Sequence, residues 1–202
     1  MRRPWTGLLS GAAVLAIALI DVFVRGHSVM IVHGVSDEVG HLLTGWLFAT
    51  VLMLLGVPLS LPWVLVGSVI IDLDHIPWLV NWIDQPDHLS RSVTHSLATV
   101  LLIAAIGLFD RGRWVTWWSL AVGIFLHLVR DLATGNVRFW WPLSEDIHWI
   151  SYYGYAFALG MAGTIIVVAS LFYPDRMPSL QFERIWSMLS RFNMKFGPRK
   201  DA

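Results

Sequence analysis

The sequence predicts an all-α, polytopic membrane protein of about six transmembrane helices, and three observations carry that expectation. Of 202 residues, 56% are hydrophobic and only 14% charged, against roughly 25% charged in an average soluble domain. Six apolar stretches approach the roughly 20 residues that an α-helix needs to cross a bilayer. The lysines and arginines fall mainly at alternate ends of those stretches, which is how cytoplasmic loops are marked.

The first stretch, about 7–24, follows Arg2 and Arg3 and has the outline of a signal peptide. No small-x-small cleavage site follows it, so a retained helix is expected. The second, about 39–57, opens on "GHLLTG"; the third, about 61–81, contains "IIDLDHIPWL"; the fourth, about 93–109, opens on "VTHS". The fifth, about 114–131, ends in "HLVRD", and the sixth, about 154–173, carries no charged residue. With no internal repeat, low-complexity tract or long Gly/Ser linker, residues 1–174 read as one transmembrane domain. After Pro174, Leu180, Ile185, Trp186, Leu189, Phe192 and Phe196 are spaced among Arg184, Arg191 and Lys195. That pattern over 175–202 suits a basic amphipathic helix or tail lying on an anionic leaflet.

With the N-terminus inside, six spans leave Arg2, Arg3, Arg111, Arg113, Arg176, Arg184, Arg191, Lys195, Arg199 and Lys200 on the cytoplasmic side. Only Arg25, Arg91, Arg130 and Arg138 fall outside, so both termini are expected in the cytoplasm of a prokaryotic cell. The same topology puts every unusual polar residue of the spans near the outer surface, although that count used none of them. His41 begins an inward helix, "DLDH" lies toward the end of an outward one with Asp72 deepest, His95 begins the next, and His127 and Asp131 end the fifth.

Ionisable side chains inside a membrane cost roughly 2.5–3.5 kcal/mol each on insertion scales, so something must offset them. His127 and Asp131 are four apart, Asp72 and His75 three apart, and Asp37 or Glu38 four or three from His41, each pair on one helical face. Helical carboxylate proteins project metal ligands inward at these spacings. There are no cysteines, which excludes disulfides and thiolate sites. Imidazole and carboxylate together suit a divalent ion, zinc first and manganese second, in one to three copies. "RSVTHS" adds Arg91 four residues before His95, a planar fork suited to phosphate or carboxylate. Asp21, near the outer end of the first helix, is expected to reach water, with a supporting role beside the cluster as the alternative, and Arg130 could pair with Asp72 between helices. His27, His33 and His88 read as solvated loop histidines, while Trp140, Trp141 and Trp149 fit an interfacial aromatic belt. Glu145 and His148 are late candidates for the chemistry.

The ordered set "HLLTG", "DLDH", "RSVTHS" and "HLVRDLATGNVRFWWP" resembles the membrane-bound metal-dependent hydrolases typified by the LexA-regulated, YdjM-like inner-membrane proteins of bacteria. The resemblance covers roughly residues 37–145. It implies a multi-helix membrane protein whose histidines and aspartates bind metal, with a distant relationship to zinc-dependent phospholipases C. Carried over, His41 with Gly45 matches the early histidine, Asp72, Asp74 and His75 the aspartate pair and histidine, Arg91 and His95 the central pair, and His127 and Asp131 the late pair. Two departures stand out. Ile71 occupies the place of the usual proline, and a whole helix precedes His41.

The expected function is hydrolysis of a phosphoester of a lipid or lipid-linked substrate at the outer leaflet. His41, Asp72, His75, His95, His127 and Asp131 would hold metal, Asp74 would bridge ions or act as general base, and Arg91 would hold developing negative charge. The alternatives are a metal or proton transporter, or a non-catalytic membrane interaction protein. A metal-free lipid phosphatase fits less well, because its Lys-rich and Pro-Ser-Gly-His motifs are missing. The formal net charge of zero gives no basis for a nucleic-acid partner.

Overall fold

The computed structural model describes residues 5–24, 30–75 and 94–177. Among these residues the regular elements are helices, with six α-helices: α1 Trp5–Leu19, α2 Met30–Leu54, α3 Leu61–Ile70, α4 Leu97–Phe109, α5 Trp114–Thr134 and α6 Tyr152–Phe172. Arg91, His27, His88, the basic tail from residue 178 onward, and the last part of the expected third span, 76–81, lie outside the described residues.

Two of these elements, Arg111–Thr134 and Tyr152–Phe172, are long and apolar enough to cross a membrane. Apolar stretches of α1 and α4 are shorter, and the 25 residues of α2 are interrupted by Asp37, Glu38 and His41. The outward faces are apolar: Leu8 and Leu15 on α1, Leu101, Leu108 and Phe109 on α4, and Tyr153, Phe157, Leu171 and Phe172 on α6 are all exposed. Apolar exposure on this scale suits a lipid-facing or partner-facing surface.

The central helix is α5. It buries Ser119, His127, Arg130 and Asp131 together with Ala121, Ile124, Leu126, Leu128 and Leu132. It packs most extensively on α3 and α4, and also on α2. Small residues permit the α3–α5 approach: a Cβ added to Gly67 would stand 3.0 Å from the Cα of Gly123 and overlap the Leu120 carbonyl. Membrane helices often meet backbone to backbone through small residues in this way. The same device joins α1 to α6, where a Cβ on Gly163 would come within 2.7 Å of Val14 and one on Gly7 would overlap Ser170.

Two motifs lie just off the regular helices that the sequence suggests for them. The α3 helix stops at Ile70 and continues as a 3₁₀ turn, Ile71–His75, so the "DLDH" residues tighten out of the helix end. Residues three apart eclipse one another in a 3₁₀ turn, which keeps Asp72 and His75 on one side. Likewise Thr94, His95 and Ser96 form the turn that leads into α4. Ile71 is buried and has φ −73°, within the range that a proline ring fixes. Ile71 thus adopts an angle that a proline at this place would also adopt.

Candidate metal centre

The site is built around His127, completely buried on α5. Its Nδ1 lies 2.7 Å from the carbonyl oxygen of Ser68, and since a carbonyl can only accept, Nδ1–H donates. The last four carbonyls of an α-helix lack intrahelical partners, and Ser68 is one of those of α3. This contact fixes the ring and directs Nε2 toward two carboxylates, Asp131 Oδ2 at 3.1 Å and Asp72 Oδ1 at 3.5 Å. Orientation through the second ring nitrogen is characteristic of metal-binding histidines.

On one side, His41 from α2 stacks on His127 with ring centroids 3.7 Å apart and planes 7° from parallel. Its Nε2 is 3.3 Å from Asp131 Oδ1 and 3.8 Å from Asp37 Oδ2. On the other side, His95 Nε2 approaches Asp72 Oδ1 at 2.9 Å and Asp131 Oδ2 at 3.6 Å. His75 completes the row, with Nδ1 3.4 Å from Asp72 and Nε2 3.5 Å from Asp74. Thr94 donates its hydroxyl to Asp74, which also lies 3.6 Å from His95 Nδ1. Asp72 Oδ1 is thus within 3.5 Å of three imidazoles, so Asp72, rather than Asp74, is the central carboxylate.

The donor set fits divalent metal. Three groups have ligand atoms lying within 4.8 Å of one another: His41–His127–Asp131, Asp72–His95–His127 and Asp74–His75–His95. Both ring nitrogens of His41 and Nε2 of His127 are buried without a hydrogen-bond partner. A buried imidazole lone pair aimed at carboxylates is unfavourable unless a proton or cation stands between them. Because Nδ1 of His127 is taken by Ser68, that residue has one nitrogen to offer, and the first two groups compete for it. The first and third groups share no residue and can be filled together.

All seven histidine and aspartate candidates from the sequence therefore come together in space. Glu38, which the sequence reading pairs with His41 but leaves out of the ligand set, joins them: it lies against Asp72 and has a buried oxygen without a hydrogen-bond partner. Its signal was the three-residue spacing to His41. Two expectations need correction. Asp21 is buried rather than hydrated, and Arg130 pairs with Asp21 and Asp37 rather than with Asp72. Glu145 is exposed, and His148 is held by the Asp146 carbonyl at 2.9 Å and by a backbone bridge to Val137.

Among the described residues, helices with an apolar exterior and a buried His/Asp cluster able to hold metal define a class of membrane protein. More particularly, the family described as YdjM inner membrane protein matches residues 37–194, and the chain belongs to that family. Membership and the apolar helices together point to the inner membrane. No curated protein and no solved structure matches the chain.

Proposed function

We propose that this protein is a membrane-embedded, metal-dependent hydrolase that cleaves a phosphoester of a lipid or lipid-linked substrate at the outer leaflet. The observation that carries the reading is the convergence of His41, Asp72, Asp74, His75, His95, His127 and Asp131 from four separate segments into contiguous donor groups. Such a density of buried imidazole and carboxylate has no use in simple helix packing, where it would cost stability.

A divalent cation, zinc first, supplies a Lewis acid and makes water acidic enough to act as a nucleophile near neutral pH. The chain's own residues do the rest. Ser68 orients His127 and Thr94 orients Asp74; Asp74, partly exposed at the His75 end of the row, would accept a proton from water. Arg91 is assigned the anionic group of the substrate, on the strength of its four-residue spacing from His95. Six spans with both termini cytoplasmic, following the Lys and Arg distribution, would open the site to the outer leaflet and admit a lipid from the side.

The test is turnover by the detergent-purified protein, loaded with zinc or manganese, on a panel of phospholipids and polyprenyl phosphates. Release of phosphate or a phosphorylated headgroup that is abolished in His127→Ala and Asp131→Ala supports the reading. Full activity retained in both variants would refute it.

A further inference from the structure

Arg130 is 1% exposed, and its partners come from three other elements. Its NH2 is 2.8 Å from Asp21 Oδ1 and its NH1 3.4 Å from Asp21 Oδ2, a bidentate pair. Asp21 belongs to a π-helical turn, Ile20–Val24, that follows α1. NH2 also reaches Asp37 Oδ1 on α2 at 3.3 Å, and NH1 reaches the hydroxyl of Tyr155 on α6 at 3.3 Å. Tyr152 donates to Asp21 Oδ2 at 3.0 Å.

This network touches the metal centre at two points. A Cβ on Gly40 would overlap the guanidinium, so Arg130 lies directly against the backbone preceding His41. Asp37 is shared: one oxygen faces Arg130 and the other faces His41 Nε2 at 3.8 Å. Asp21, however, lies outside the stretch 37–194 that matches the family. The turn after the N-terminal helix thus borders, through Arg130, a centre whose donors all belong to the family region.

We propose that Asp21 is a positioning residue of the metal centre: by engaging Arg130 bidentately it neutralises the guanidinium and leaves Asp37 turned toward His41. The inference rests on the His/Asp cluster being a metal centre. Without Asp21, Arg130 would draw on Asp37 as its remaining carboxylate and leave uncompensated positive charge beside a cation site. Both effects weaken cation binding.

The experiment measures zinc affinity of the full-length, detergent-purified chain by chelator competition, with thermal unfolding recorded in parallel. Four proteins are compared: unaltered, Asp21→Glu, Asp21→Asn, and Asp21→Asn combined with Arg130→Met. Asp21→Asn is expected to bind zinc roughly 10-fold or more weakly, the range seen when groups supporting a ligand are removed. Asp21→Glu and the double variant, where charge is kept or jointly removed, are expected to bind near the unaltered affinity. Should Asp21→Asn not fold, near-native binding by the double variant alone carries the proposal. Unaltered affinity in a folded Asp21→Asn, or a double variant that binds weakly, overturns it. No zinc binding by the unaltered chain refutes the metal centre itself and this inference with it; a failure confined to the Asp21 variants leaves the centre standing.

Discussion

His127 Nδ1 donates to the carbonyl oxygen of Ser68 across the α3–α5 interface at 2.7 Å. One contact thereby satisfies a helix-end carbonyl, fixes a tautomer, and points the other ring nitrogen into the cluster. It depends on the two helices meeting at Gly67 and Gly123.

Substituting either glycine should therefore damage both fold and site. Gly67→Ala and Gly123→Ala force the backbones apart, and overpacking of this kind costs about 1–3 kcal/mol. Unfolding in detergent should show that loss, accompanied by weaker metal binding. An unchanged melting temperature in both variants would contradict the close helix contact.

Metal binding should be lost on acidification. Histidine ligands bind metal only as neutral imidazoles, so protons compete with the ion. With four histidines in the donor groups, apparent zinc affinity should fall steeply as the pH is lowered, because each imidazole must lose its proton before it can bind the ion. Zinc titrations at a series of pH values check this; an affinity that rises on acidification would exclude imidazole ligation.

Much of the centre is legible in the sequence, because residues three or four apart on an amphipathic turn must share a face. His127 with Asp131, and Asp72 with His75, announce themselves this way, and the spread of positive residues leads to the expectation that the pairs share one side of the membrane. The Asp21–Arg130 pair is different. Its partners are 109 residues apart, and each alone looks like an interfacial charge that water or lipid headgroups could satisfy. Only helix packing shows that neither reaches solvent. The 3₁₀ turn of Ile71–His75 is equally hidden, since an apolar run from about 61 to 81 reads as continuous helix.

Topology is open to direct test because the chain contains no cysteine. Glu145 and Gly112 are both exposed and belong to loops on opposite sides of the proposed membrane arrangement. A membrane-impermeant maleimide applied to spheroplasts should label Glu145→Cys directly and Gly112→Cys only after permeabilisation. The reverse pattern would invert the protein and turn the site toward the cytoplasm.

The central claim is that the buried His/Asp cluster holds metal, and elemental mass spectrometry of the detergent-purified protein tests it most directly, with His127→Ala prepared identically. One or more equivalents of zinc or manganese are expected in the unaltered protein and at least one equivalent fewer in the variant. Absence of metal from both, even after reloading with zinc and manganese, would contradict it.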